Sequence, residues 1–234
     1  MFSRLLTAAL FAGCIAGIIA GLLQLAFVQP VLLHAELYEG GQLVHFGAEP
    51  VSAHPALPPF DAVRDLLSIG FSVLVYIGYG LILGAVIGLA VQRGHAVDLP
   101  RALLWGLAGF ATFHLAPAFS LPPEVPGVAS APIMPRQIWW FGTVIATAAG
   151  LWLFAFHQRP VMMVVAAVLI LAPHGIGAPE PDSFRGPVPP EIAAHFASRA
   201  LGVGLVTWLL LGVLMKHFMA TEGATGQLQD EQDQ

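Results

Sequence analysis

The stretch LLTAALFAGCIAGIIAGLLQLAFV, residues 5–28, decides the fold because it carries no charged side chain. A bilayer core about 30 Å thick is crossed by about 20 apolar residues in an α-helix, so this run is long enough to span a membrane. Further apolar runs lie between polar breaks at residues 66–91, 102–118, 138–156, 161–172 and 192–215. We therefore predict an all-α, polytopic helical membrane protein with about six transmembrane helices and long outer loops.

Prolines stand at the ends of two short runs, at Pro117 and Pro173. Because a proline lacks the backbone N–H that continues a helix, both helices are predicted to stop there. The two ends resemble each other: HLAPAFSLPPEVPG at residues 114–127 and LAPHGIGAPEP at 171–181 both place LAP beside a histidine. LAFVQP at 25–30 is a more degenerate third copy. Interruptions at matching positions of related spans indicate a transporter binding site.

The composition excludes several classes of function. Hydrophobic residues make up 57% of the chain and charged residues 10%, against about 25% charged in an ordinary soluble domain. One lysine and eight arginines provide no basic surface for nucleic acid. The chain also lacks a GxxxxGK[ST] loop, so we predict no ATP site and transport driven by a gradient or a partner. Ser68 and Ser72 have no evident basic partner, so we predict that the chain is not an enzyme.

Basic residues in the loops predict the orientation. With six spans and an inner amino terminus, five lie inside and three outside: Arg4, Arg93, Arg101, Arg159 and Lys216 against Arg64, Arg136 and Arg185. We therefore expect a bacterial-type inner membrane, both termini in the cytoplasm, and outer loops at residues 29–65, 119–137 and 173–191. Residues 1–218 are predicted to form one transmembrane domain. The acidic, glutamine-rich segment 219–234 is predicted to be a disordered, solvated tail.

Glycines recur every four residues in the first two runs, at Gly13, Gly17 and Gly21 and at Gly80, Gly84 and Gly88. Such stripes allow helix backbones to approach closely in a membrane. We predict that they form the seam between the first two helices, and homodimerisation is the alternative use. Arg199 lies within the last run, where a charge is costly and faces a partner. We expect it to bond a carboxylate or a carbonyl of a broken helix.

Six of the nine histidines fall on the predicted outer side, and His114, His174 and His195 among them lie at helix ends. Glu191 and His195 are four residues apart, so they share one helical face. Imidazole with carboxylate suits divalent cobalt, nickel, zinc or iron. We therefore predict a divalent-metal site formed by these three histidines with Glu191 and Glu124. Each histidine taken alone is more often structural, so the prediction depends on the cluster.

The first outer loop begins QPVLLHAELYE, in which Glu36 and Glu39 follow His34. Two interpretations remain open for this segment. It is either a short amphipathic helix at the membrane interface or an arm that captures metal through His34 and Glu36. Trp139 and Trp140 follow Arg136 at the start of the fourth run and fit an interfacial aromatic belt.

Several of these motifs resemble the CbtA family of proposed cobalt transporter subunits. The likeness spans nearly the whole chain and comprises the opening RLLxxA run from Arg4 and the motifs QPVLLHAELYE (29–39), LPPEVPG (121–127), RQIWW (136–140) and APHGIGAPEP (172–181). The resemblance implies a polytopic subunit that acts with a small, histidine-bearing one-helix partner, CbtB, in cobalt uptake for cobalamin synthesis. It carries no ligand set over to this chain.

Two other functions compete with a metal transporter. Paired histidines on different helices can ligate haem iron, which makes a haem-binding electron-transfer subunit an alternative. His114 and His174 lie at span ends, however, and the sequence contains no CxxCH motif. The second alternative is a non-transporting assembly or regulatory subunit of a membrane complex. We expect the lipid bilayer, a single-helix partner and a homo-oligomer as interaction partners.

Overall fold

A computed structural model describes residues 2–45, 51–95 and 97–232, with only the backbone for residue 2 and for residues 221–232. Throughout this part of the chain the regular elements are helical. The α-helices are α1 (Phe2–Leu23), α2 (Gln29–Glu39), α3 (Ala62–Gln92), α4 (Leu99–Phe110), α5 (Ala116–Ser120), α6 (Ile133–Phe156), α7 (Pro160–Ile176) and α8 (Pro190–Gln232). Two π-helical turns, Gln24–Val28 and Ala111–Leu115, join α1 to α2 and α4 to α5.

Among the described residues, five helical segments are long and apolar enough to cross a membrane: Ser3–Glu39, Ala62–Gln92, Leu99–Ser120, Ile133–Phe156 and Pro190–Ala220. The sixth apolar helix, α7, has 17 residues and is shorter than the others. The predicted all-α fold with several membrane-spanning helices is therefore confirmed. The backbone of α8 continues to Gln232 through the acidic segment, and disorder of that segment in solution stays a prediction.

The prediction that prolines end the helices is wrong. The first span passes Pro30 and reaches Glu39, the third passes Pro117 and reaches Ser120, and α7 contains Pro173. Residues 29–39 are therefore helical rather than loop. A π-helical turn ends two residues before both Pro30 and Pro117 and places each ring in the first turn of the following α-helix. A proline in the first turn of an α-helix loses no hydrogen bond, because the N–H groups of that turn have no acceptor within the helix. This explains why the chain stays helical past each of the two prolines.

The start of α3 is fixed by a reciprocal pair of carboxylates. The Asp61 side chain accepts the backbone N–H of Arg64 at 2.9 Å, and Asp65 accepts the backbone N–H of Asp61 at 3.2 Å. Asp65 is buried and pairs with the Arg64 guanidinium at 2.8 Å. Two otherwise unpaired donors of the first turn are satisfied in this way, so the helix begins four residues before the apolar run.

The chain divides into two compact units. The first unit comprises Met1–Leu25, Phe60–Phe110 and Val203–Gln234, and the second comprises Ala26–Pro59 and Ala111–Gly202. Three of the four boundaries between the units fall within helical segments, in α8 and next to or within the two π-helical turns, and the fourth falls between Pro59 and Phe60, before α3. The prediction of one transmembrane domain therefore stays a prediction.

Glycine stripes hold the first unit together, as the sequence predicted. A Cβ atom added to Gly17 would lie 2.5 Å from the Cα atom of Val73 on α3, and one added to Gly80 would lie 2.7 Å from the carbonyl oxygen of Ala9 on α1. Neither contact leaves space for a side chain, because the obstacle is backbone. The seam between the first two helices is therefore confirmed.

Trp208 of α8 completes the core of the first unit. Its ring packs against Gly109 of α4, where no side chain could fit, and its centroid lies 4.7 Å from that of Tyr79. Beside it, the hydroxyl groups of Tyr76 and Thr207 form a buried hydrogen bond. These two buried hydroxyl groups are thus paired with each other, as their burial requires.

We predict that Gly17→Leu destabilises the protein and lowers the yield of folded material. The added side chain must separate α1 from α3, and overpacking of this kind costs about 1–3 kcal/mol or more. Gly78→Leu is the matched control, because nothing lies within 4 Å of a Cβ atom at Gly78 on the same helix pair. Size-exclusion yield in detergent compares the two variants. Equal yields would contradict the packing described above.

Candidate functional site

All seven predicted metal-site residues lie in the second unit. They are His34, Glu36, His114, Glu124, His174, Glu191 and His195. They come from elements far apart in sequence: α2, the second π-helical turn, the segment 121–132, α7 and the start of α8. All candidate ligands therefore belong to one of the two units, although they are spread over 162 positions of the sequence.

A small apolar cluster fixes α2 against the loops of this unit. Buried side chains at helical spacing on α2 meet one residue of the segment 121–132, one residue just before α8 and one residue in the first turn of α8: Val31, Ala35, Tyr38, Val125, Val188 and Ile192. A backbone hydrogen bond of 2.7 Å from Ala129 to Arg185 joins the two loops. The motifs QPVLLHAELYE and LPPEVPG therefore pack together with the residues 188–191, VPPE, which explains why apolar residues recur in segments predicted as outer loops.

Arg199 binds the first π-helical turn. Its guanidinium donates a hydrogen bond of 3.2 Å to the carbonyl of Phe27, within the interruption between α1 and α2. Of the two partners predicted for this charge, a carboxylate or a carbonyl of an interrupted helix, the structure shows the carbonyl. A carbonyl oxygen has two lone pairs, so it can accept a side-chain donor in addition to a backbone amide. Arg199 lies seven residues after Ile192, so both are on the face of α8 that packs against residues 27–38 of the same unit.

His174 is the most closely held of the candidate ligands. Its Nδ1 atom lies 2.9 Å from the Oγ atom of Ser120, the last residue of α5. The rings of Phe119 and Trp139 approach it edge-on, with centroid distances of 5.2 and 6.0 Å. The Trp139 indole donates a hydrogen bond of 3.1 Å to the carbonyl of Pro173. Three helices, α5, α6 and α7, therefore converge on this imidazole.

Glu124 forms an ion pair with Arg136, with a distance of 2.7 Å between carboxylate and guanidinium. Both side chains are partly exposed, at 30% and 27%. Arg136 lies in the first turns of α6 rather than in an outer loop, so the pair ties the segment 121–132 to that helix. The sequence predicted Glu124 as a metal ligand, and the structure shows a carboxylate already engaged by a cation.

The remaining candidates differ in their surroundings. The Nε2 atom of His34 is buried and has no hydrogen-bond partner among the described residues, and its ring lies 5.6 Å from that of Tyr38. His114 belongs to the second π-helical turn and is half-buried. Glu191 and His195 are exposed on α8, and Glu36 is exposed on α2.

In the part of the chain that the structure describes, no three histidine, cysteine, aspartate or glutamate side chains lie close enough to hold one metal ion. The five-residue site is therefore not assembled in this structure, and metal binding by these side chains stays a prediction. The sequence does not predict the contact of Ser120 with His174, and it predicts Trp139 only as part of an interfacial aromatic belt. Their positions carry a weak signal, because Ser120 follows Pro117 by three residues and Trp139 lies in the RQIWW motif.

A comparison with known protein families gives a match over most of the chain. The profile of a family described as probable cobalt transporter subunit (CbtA) matches residues 2–220. The matched region contains every apolar helix, including α7. No curated protein and no solved structure matches the chain.

We predict that Trp139→Phe destabilises the protein by about 1 kcal/mol, because the carbonyl of Pro173 loses a donor. For a chain of this size, that corresponds to a decrease of about 2–4 °C in apparent Tm. Trp140→Phe is the matched control: its ring packs on Phe113 and Phe141, and the same atoms are removed. Thermal unfolding in detergent compares the variants. An equal or larger decrease for Trp140→Phe would contradict the role given to the indole of Trp139.

Proposed function

Because the chain belongs to the CbtA family, we propose that it is the membrane subunit of a divalent-metal uptake transporter with cobalt as its substrate. The structural observation that carries the proposal is the second unit, which holds all seven candidate imidazole and carboxylate ligands among interrupted helices. Neutral imidazoles favour late transition metals over magnesium and calcium. Soft metals such as copper(I) prefer thiolate ligands, and the chain contains one cysteine.

The ligand arrangement favours transfer over storage. A transported ion must bind strongly enough to enter and weakly enough to leave, which several partial sites achieve better than one closed site. Candidate ligands distributed over five elements of the second unit match that requirement. We propose that cobalt contacts His114, His174 and His195 in turn, and that Glu191, His34 and Glu36 attract the cation at the outer side. Glu124 binds the ion only when its ion pair with Arg136 is broken.

The cellular context is also proposed. Both termini lie in the cytoplasm, and the protein resides in a bacterial-type inner membrane. A small single-helix subunit resembling CbtB assembles with the chain, and a homo-oligomer is compatible with the exposed apolar helix faces. Energy comes from an ion gradient or from the partner, because the sequence has no phosphate-binding loop.

We predict that cells producing this chain with a CbtB-like partner subunit accumulate radiolabelled cobalt faster than cells that produce the partner alone. Single alanine substitutions at His114, His174 or His195 should reduce the initial rate about tenfold or more, as expected when a metal ligand is lost. His95→Ala, His157→Ala and His217→Ala are controls at the predicted inner side and should reduce uptake less. Immunoblots of the membrane fraction verify equal protein levels.

Two results would contradict this assignment. Equal cobalt accumulation with and without the chain would exclude uptake and favour an assembly subunit. Normal uptake by the variant that lacks all three outer histidines would leave the transport function standing but remove these side chains from the pathway.

A further inference from the structure

The contact between Ser120 and His174 is compatible with the arrangement that is common at metal-binding histidines. A histidine that binds a metal through one ring nitrogen donates the N–H of the other nitrogen to a fixed acceptor, which sets the tautomer. In this structure the Nδ1 atom of His174 has such a neighbour, the Oγ atom of Ser120 at 2.9 Å. We infer that Ser120 is a positioning residue that presents the Nε2 lone pair of His174 to the cobalt ion.

The chemistry of the serine hydroxyl fits this role. The oxygen offers two acceptor lone pairs, so it can accept the Nδ1–H of a neutral imidazole. The proton is then held on Nδ1, and Nε2 carries the lone pair that a divalent cation needs. This inference rests on the proposed function, because it names a further residue of the same pathway. Ser120 itself does not touch the ion.

The surrounding rings fix the imidazole plane as well as its tautomer. Phe119 and Trp139 lie edge-on to His174, and the indole of Trp139 is bonded to Pro173, the residue before the imidazole. Rotation of the ring away from Ser120 would break these contacts. A ligand whose orientation is fixed in advance loses less conformational entropy when the ion arrives.

The sequence explains why the serine lies at this point. The second π-helical turn ends at Leu115, Pro117 enters the first turn of α5, and α5 ends after five residues at Ser120. A side chain at the end of so short a helix is not enclosed by further turns of its own helix. Ser120 is therefore free to reach α7, where the proline-containing turn carries His174.

Two measurements on the purified full-length chain in nanodiscs test the inference. The first is ¹⁵N NMR of labelled histidines without metal, with His174→Gln identifying the resonance. Wild-type His174 should carry its proton on Nδ1, Ser120→Ala should lose this preference, and Ser120→Thr should restore it. The second is equilibrium dialysis with Co²⁺: Ser120→Ala should weaken binding about tenfold or more, and Ser120→Thr should bind like the wild type.

Ser198→Ala is the matched control for the dialysis, because that hydroxyl bonds only the carbonyl of His195 in its own helix, and binding should not change. A proton on Nε2 of wild-type His174 would overturn the inference. So would unchanged cobalt binding by Ser120→Ala together with lost binding by His174→Ala, a result that leaves the proposed function intact. A wild-type chain that binds no cobalt would overturn both.

Discussion

Backbone groups in a hydrocarbon layer have no water to bond, so every proline in a membrane helix must be accommodated by the protein itself. This chain places Pro30, Pro117 and Pro173 in helices that continue past them. Each unsatisfied amide or carbonyl would cost several kcal/mol. The π-helical turns before Pro30 and Pro117 resolve the problem by restarting the helix at the ring. The positions of α2 and α5 follow from those restarts.

The interruptions also determine which side chains are brought together in the second unit. Arg199 bonds a carbonyl inside the first π-helical turn, and Trp139 bonds the carbonyl of Pro173. Both contacts join helices through a backbone acceptor at an irregular turn. His114 lies within one such turn and His174 follows another proline. Interrupted helices are a usual setting of ion sites in transporters, which is why the proposed cobalt pathway is placed there.

The sequence predicts the helical runs, the glycine seam and the kind of partner that Arg199 finds. Those features depend on hydropathy and spacing, which a single chain shows directly. The continuation of helices through Pro30 and Pro117 was not predicted, because proline statistics describe isolated helices and a π-helical turn gives no hydropathy signal. The pairings of Glu124 with Arg136 and of Ser120 with His174 join residues 12 and 54 positions apart. Such contacts depend on how α5, α6 and α7 pack, and no local pattern encodes them.

The central claim is that imidazole side chains of the second unit ligate the transported cobalt. The most direct measurement is cobalt X-ray absorption spectroscopy of the purified chain, loaded with less than one equivalent of Co²⁺ in nanodiscs. The extended X-ray absorption fine structure distinguishes imidazole ligands from water and carboxylate ligands, because the imidazole ring atoms beyond the ligating nitrogen add a characteristic scattering signal. The account predicts a clear imidazole contribution in the wild type that is reduced when His174 is replaced by alanine. A spectrum of purely oxygen-ligated cobalt, unchanged by that substitution, would contradict it.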